Sequence, residues 1–485
     1  MTPEEKFWQL FMIPGDLDQV NKNQLKQGLF GFQVSAASKG DAGGQLLSYN
    51  TKEQPLALTR KINAIQKFFV EETRLGIPII AFDEALHGLV REGATSFPQS
   101  IALAATWDTA LMNKVASAIA IETKARGIRD ILTPVVNIAS DVRWGRTEET
   151  YGEDPFLSSE MGVAFVKAFE QRGIITTPKH FIANVGDGGR DSYPIHWNDR
   201  LMQEIYLVPF KACIERGGSR SIMTAYNSVD GQASSANSKL LQQVLKSDWA
   251  FKGFVISDAN AVGGEVVLHN TAKTYADAGA HAINNGLDVI FQTEHAHHRL
   301  FMPPFLDGGV QADRIDEAVR RVLTAKFELG LFEQPYTDES VIIALLKKNN
   351  HKNIAQEAAV KSMVLLKNEQ GILPLSSKLR KIAVIGEEAV NGRLGGYSGK
   401  GNGTTSFLEG IRQRAGRIEV KYAFGAGIHA DSFEIVPPAN LSHYGRRIEG
   451  RILQQPWHGG RSGSYPYRCC SRFFLDIIRT GRPGE

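Results

Sequence analysis

The chain has 485 residues, 42% of them hydrophobic, and 55 Lys and Arg against 52 Asp and Glu give a net charge of +3. That length can fill more than one core, and the near balance of charge gives no case for nucleic acid or an anionic membrane surface as a partner. No run of about twenty apolar residues is present to form a membrane helix, and three cysteines, Cys213 and the adjacent Cys469 and Cys470, make no disulfide framework.

The opening, MTPEEKFWQLFM, carries Thr2 and Glu5 at capping-box spacing before an apolar helical face, so a folded domain is expected to start at once with a helix. No basic region, apolar core and small-residue cleavage site stand at this end, so the sequence as written has no secretory signal. A longer natural N-terminus is compatible with this start, and localisation is left open. From about Gly28 to Phe332, short β-branched runs alternate with longer amphipathic stretches. Strands are predicted at 29–34, 77–82, 131–138, 174–180, 221–226, 254–257 and 287–291, and helices at 109–126, 160–171, 202–215 and 316–329. The repeat predicts an α/β fold, a (β/α)8 TIM-like barrel. Polar clusters follow many of the strands instead of gathering at one crevice, which favours the barrel over a doubly wound open sheet.

A helical stretch from Ser340 to Asn368 leads out of this domain, and LPLSSK, Leu373 to Lys378, breaks the chain. KIAVIGEEA, Lys381 to Ala389, then opens a second domain with a buried-type strand. The glycine-rich segment Gly392 to Gly403 lacks the spacing of a phosphate cradle and reads as a flexible surface loop. After about Pro438 the texture changes to Arg, Gly, Ser and Trp with little period. The codons for Cys469 to Ile478, displaced by one base, can encode Ala-Ala-Val-Asp-Phe-Ser-Trp-Thr-Leu-Ser, an alternating strand, so a frameshift near Glu449 is the expected origin. The expected organisation is a barrel at 1–335, a linker at 336–378, a partial α/β sandwich at 379–438 and an aberrant, disordered tail at 439–485.

The strand ends carry the chemistry. Asp83, Glu84 and His87 follow one strand; Asp141, Arg143, Arg146 and Glu149 follow the next; then come Lys179 and His180, next Met223, Tyr226 and Asn227, and finally Asp258, where GFVISDAN runs a β-branched strand into a carboxylate. A Ser-Asp pair after a strand also reads as a turn or a helix cap. Taken together, carboxylates, cations, an imidazole and a phenol on one barrel face suit an uncharged, polyhydroxylated ligand, because each sugar hydroxyl both donates and accepts and charge-assisted bonds are the strong ones. A carboxylate among cations stays ionised at neutral pH, and Asp258 is then placed to attack an anomeric carbon. Plainer roles exist for several of these groups. Asp141 with Arg143 and Glu148 with Arg146 read equally as structural ion pairs, His87 and His180 as core histidines, and Trp107 as a core residue. His295, His297 and His298 form no recognisable metal set and read as a solvated loop.

EALHG (Glu84–Gly88), TSFPQSIALAATWD (Thr95–Asp108), RWGRTEETYGEDP (Arg143–Pro155), PKHF (Pro178–Phe181) and GFVISDAN together resemble glycoside hydrolase family 3, over roughly Thr2 to Asp431. The resemblance implies retaining hydrolysis of a terminal β-linked sugar with Asp258 as nucleophile, and no metal or organic cofactor. It makes Glu84, Arg146, Lys179 and His180 sugar-binding residues and places Met223 and Tyr226 near the nucleophile. Asp83, Asp187, Arg190 and Asp191 are candidates for lining the same pocket. The expected ligand is a β-linked oligosaccharide or an aryl β-glycoside; a homo-oligomer is compatible with the sequence. A retaining mechanism also needs a second carboxylic acid. In the family this is normally a glutamate well beyond the LGGY loop, which this chain does not reach with family character; Glu409 and Glu434 are the remaining carboxylates in range. A branch of the family uses an Asp-His pair after PKHF, but here Asp191 is followed by Ser192 and Tyr193. Glu84 in place of the family's common aspartate, and Ala259 in place of its tryptophan, resemble β-xylosidases, whereas the other motifs read as β-glucosidase, which is the expected activity. The rival expectations are a sugar-binding remnant without turnover and an acid supplied by a partner chain.

Overall fold

Thr2 caps the first helix, Pro3–Gln9, as its spacing predicts: its hydroxyl accepts from Glu5 N at 3.2 Å, and Glu5 Oε2 accepts from Thr2 N at 2.8 Å. The computed structural model describes residues 1–37, 40–43, 48–49, 52–348, 351–399, 401–425, 442–443 and 446–447. They fall in two units, Met1–Ala423 and Phe424–Glu485. Within the second, Ser442–His443 pairs antiparallel with Arg446–Arg447. Glu434, the expected frameshift position Glu449, and Cys469 and Cys470 lie outside the described residues.

In the first unit eight strands form the barrel: β1 (Phe11–Gly15), β2 (Gly31–Val34), β3 (Phe82–Asp83), β4 (Asp130–Ile131), β5 (Ile175–Thr176), β6 (Ser221–Met223), β7 (Phe254–Ile256) and β8 (Ile290–Phe291). β1 pairs with both β2 and β8, β3 with β4, β4 with β5, and β6 with β7, every register parallel. Single bridges complete the circle. Phe181 meets Thr224 between β5 and β6, Ile256 meets Val289 between β7 and β8, and Ile80 N donates to Phe30 O between β2 and β3. Gly31 makes that last approach possible, since a Cβ there would lie 1.8 Å from Ile80 O.

β1 is the strand that the periodicity does not reveal. Its sequence FMIPG continues the apolar run of the preceding helix, yet all five residues are buried, as a strand covered on both faces requires. Helices such as Pro55–Glu72, Thr109–Ala125, Pro155–Glu170 and Ala312–Glu328 follow the strands, and Asp108 and Asp154 cap two of them by accepting from Leu111 N and Leu157 N. Phe82 and Phe291 meet edge to face at 5.5 Å, and so do Phe30 and Phe254. Each such buried side chain contributes about 1.5–3 kcal/mol relative to exposure.

The expected exit from the barrel appears as two helices, Glu339–Lys348 and His351–Lys361. Beyond them β9 (Lys381–Ile385) and β10 (Glu419–Ala423) run parallel in five-residue register, joined across the helix Phe407–Ala415, which Ser406 caps. This βαβ unit stands where the partial α/β sandwich is expected, but β9 alternates exposed and half-buried residues and is not the buried-type strand its apolar run suggests.

Candidate active site

A barrel strand delivers the residues just beyond its C-terminal end to one face, and that is where the polar groups collect. Asp258 follows β7 by two residues and is 7% exposed. Its Oδ1 accepts from Ala259 N at 2.7 Å, whereas its buried Oδ2 has no hydrogen-bond partner among the described residues. A buried carboxylate oxygen without a donor is costly to the fold. Burial pushes the Asp258 carboxyl up to about 6, against the lowering pull of Arg146 and Lys179.

His180 Nε2 lies 3.5 Å from Asp258 Oδ2, and its protonation is legible from its partners. Asn137 Oδ1 faces His180 Nδ1 at 2.9 Å and also accepts from His180 N, while Asn137 Nδ2 donates to His180 O, all within the buried interior. An amide oxygen is an acceptor, so Nδ1 carries the proton. Nε2 is then the bare nitrogen and accepts from Arg146 Nη2 at 3.1 Å. Burial, reinforced by Arg146 and Lys179, holds the His180 pKa well below the usual imidazole range, in keeping with a neutral ring.

Arg146 sits at the centre of the cluster. Glu149 takes both Nε (2.9 Å) and Nη2 (2.8 Å), Asp191 approaches Nη1 at 3.5 Å, and Tyr397 Oη accepts from Nη2 at 3.3 Å. Burial opposes this charge, but Tyr397 and Glu149, with Asp258, outweigh it and hold the guanidinium protonated. The expected partner Glu148 is instead turned to the second βαβ segment, where its Oε1 accepts from Gly396 N. Asp141 and Arg143 do pair with each other, at 2.6 Å, away from this cluster at an exposed edge.

Glu84 and Lys179 form the opposite wall. Lys179 Nζ donates to both Glu84 oxygens at 2.8 and 2.9 Å, and both side chains are buried. Burial raises the Glu84 carboxyl to about 7; Lys179 lowers it, while Asp83 and Asp258 add to the rise. Tyr226, after β6, is buried and donates to Ala259 O at 3.0 Å; burial and then Asp258 push its phenol well above 10. Met223 ends β6 in the core, its carbonyl accepting from Phe181 N.

The remaining candidates lie outside this cluster or at its edge. Asp83 is committed to Arg91 Nε at 2.5 Å and to its own turn through Glu84 N. Asp187 and Arg190 are exposed, the Arg190 guanidinium lying over the Tyr193 ring. Asp191 joins the edge by accepting from Trp144 Nε1 at 3.3 Å as well as from Arg146. His87 has both ring nitrogens engaged, with Phe97 O on one side and Gly396 O on the other. Trp107 is 71% exposed, not core. His295 and His298 pack on Trp8, and His297 contacts Gln292 and Gly40 O, so these histidines are built into the structure and do not form a solvated loop. Glu409 is exposed on the helix Phe407–Ala415. Sequence reasoning missed Asn137 and Tyr397. Asn137 stands at the end of an apolar run, LTPVVN, that matched no motif, and Tyr397 closes the LGGY segment, which served only as a landmark in a glycine-rich stretch read as a surface loop.

Comparison with known proteins matches residues 2–325 to the glycosyl hydrolase family 3 N terminal domain and residues 363–456 to the glycosyl hydrolase family 3 C-terminal domain. The chain is 33% identical over 420 residues to a beta-xylosidase of Formosa agariphila, covering 79% of this chain and 57% of the relative. It is 30% identical over 475 residues to the periplasmic beta-glucosidase of Salmonella typhimurium, covering 94% of this chain and 58% of the relative. Among solved structures, a β-glucosidase from Erythrobacter marinus superposes with a TM-score of 0.79 at 32% identity, covering 89% of this chain and 58% of that one. A mutant beta-glucosidase from Listeria innocua, solved in complex with laminaribiose, gives 0.75 at 26% identity, covering 87% and 59%. The chain thus spans less than two thirds of the length of these proteins.

Proposed function

Because the chain belongs to glycosyl hydrolase family 3, we propose that it is a retaining exo-β-glycosidase that takes a terminal β-D-glucosyl residue onto Asp258. The observation that carries this reading is Asp258 Oδ2, which has no hydrogen-bond partner among the described residues and lies buried beside a neutral His180 and the cations Arg146 and Lys179. In the proposed step Oδ2 attacks the anomeric carbon, the bond to the leaving oxygen breaks, and a glycosyl ester forms. Water then attacks the same carbon from the opposite side, the bond to Asp258 Oδ2 breaks and restores the carboxylate, and the water's proton passes through solvent to the departed oxygen, so two inversions give retention. Glu84, Lys179, Arg146 and His180 hold the sugar hydroxyls, and Tyr226 stands beside the reacting carboxylate. Neither Glu409 nor Glu84 is suited to protonate the leaving oxygen: the first is exposed on a helix, and the second has both oxygens engaged by Lys179.

One observation favours a second reading, a β-xylosidase. Lys179 holds both oxygens of Glu84, and in this second reading the methylene by which Glu84 exceeds an aspartate takes up the room of a hexose hydroxymethyl group. The test is hydrolysis of 4-nitrophenyl glucoside and xyloside, together with labelling by an activated fluorosugar, in wild type and Asp258→Ala. Loss of labelling and a fall on the order of 10⁴-fold or more in kcat are expected; labelling that survives the substitution would remove Asp258 from its role.

A further inference from the structure

The segment between β9 and the helix Phe407–Ala415 does not behave as a free surface loop. Gly396 N donates to Glu148 Oε1 at 2.9 Å, His87 Nε2 meets Gly396 O at 3.1 Å and Ser398 Oγ at 3.0 Å, and Ser398 Oγ folds back onto Leu394 O. Gly395, at φ +81°, lies so close to Gln99 that a Cβ would stand 1.3 Å from Nε2. These contacts fix the segment to the loops after β3 and β4 on either side of Tyr397.

Tyr397 itself has φ +51°, a left-handed conformation costing a non-glycine residue about 1–2 kcal/mol. Its ring centroid lies 4.7 Å from Lys179 Nζ and 5.9 Å from Arg146 Cζ, and its hydroxyl accepts from Arg146 Nη2. It therefore stands on the wall formed by Lys179 and Glu84, the wall that faces the substituent distinguishing a hexose from a pentose in the reading above.

We infer that Tyr397 is a specificity-determining residue: pinned between Gly396 and Ser398, its ring bounds the sugar pocket over the Lys179–Glu84 pair and limits the room for an exocyclic hydroxymethyl group. This rests on the assignment of the Asp258 cluster as a sugar site. Removing the ring opens the wall to hexosides more than to pentosides, and removing only the hydroxyl leaves the wall in place.

The test compares wild type, Tyr397→Ala and Tyr397→Phe in two measurements: kcat/KM on 4-nitrophenyl glucoside and xyloside, and calorimetric affinity for glucose and xylose, which needs no turnover. For Tyr397→Ala the glucose-over-xylose ratio is expected to rise about tenfold in both, the scale of one methylene-sized change in a pocket. Tyr397→Phe should keep that ratio within about twofold, because its ring is unchanged. Equal losses on both sugars, or a ratio that moves toward xylose, would overturn the inference while leaving the site assignment intact. Wild type that binds neither sugar and takes no fluorosugar label at Asp258 would overturn both.

Discussion

Asn137 reads out the tautomer of His180. Its side-chain oxygen lies 2.9 Å from Nδ1, and its amide nitrogen holds the His180 carbonyl at 2.9 Å, so the imidazole presents Nε2 as an acceptor toward Arg146 and Asp258. Asn137→Ala removes that constraint without touching the sugar. A fall in kcat/KM of about 10–100-fold is expected, in the range seen when the group orienting a functional histidine is lost. Asn137→Asp should instead raise the His180 pKa by placing an anion on Nδ1, visible as a shifted pH profile. An Asn137→Ala enzyme with unaltered kinetics would mean that the ring needs no help.

The activity should fall on the acid side near pH 6. In the proposed step Asp258 attacks as a carboxylate, and its pKa is raised to about 6, so the competent fraction is expected to decline as pH drops through that value. The check is kcat/KM on a nitrophenyl glycoside from pH 4 to pH 8. An acid limb near the ordinary aspartate value of about 4 would show that burial is not the dominant influence on this group.

Asp258→Asn should gain stability as it loses activity. The folded protein holds the Asp258 proton more tightly than the unfolded chain does, so the contribution of this group to stability falls as pH rises from about 4 to about 6. Above that window the ionised carboxylate is a net burden on the fold, and the amide relieves it. The Asn variant should melt a few degrees higher than wild type at pH 8, with the gap narrowing toward pH 4. A lower melting temperature at pH 8 would mean that Arg146 and Lys179 depend on the Asp258 charge more than burial opposes it.

Leaving groups should matter unusually. With Glu409 exposed and Glu84 held by Lys179, glycosides that depart unaided are favoured. A 4-nitrophenyl glucoside is expected to react at least about 10²-fold faster than cellobiose, which needs protonation of its departing oxygen. Comparable rates would place an effective acid within the site.

Gly31→Ala probes the barrel rather than the chemistry. The added Cβ meets the Ile80 carbonyl oxygen at 1.8 Å, and its nearest neighbours are all Ile80 backbone atoms, with no flexible side chain to yield. A loss of about 3 kcal/mol or more is expected, read as a lowered melting temperature or a collapse in soluble yield. A normally folded variant would show that β2 and β3 can move apart.

The sequence carries the barrel in most of its length because the alternation of buried strand and amphipathic helix is a local signal. It hides β1 because FMIPG follows a helix of the same apolar texture, and no turn residue marks the change. The site is legible where a side chain stands directly after a strand, as Glu84, Lys179, His180, Tyr226 and Asp258 do. It is illegible where a partner comes from far along the chain. Arg146 has two carboxylates close by in sequence, and only the three-residue step to Glu149 closes the fork, whereas Glu148 faces a residue more than two hundred positions away. Asp187 and Arg190 follow PKHF closely yet project outward, because the loop turns before it returns to Arg146 at Asp191.

The meeting of Glu149, His180, Asp191 and Tyr397 at one guanidinium has a consequence for how such a chain can vary. Four stretches of different length must each end within reach of the same five N–H groups. An insertion or deletion in any one of them is tolerated only if the chain returns to that point. Length variation in this region is therefore expected to collect between the contact points, around the exposed Asp187 and Gly188 or beyond Ser398, and transplanting one of these loops from a relative should succeed only with its landing residue on Arg146 preserved.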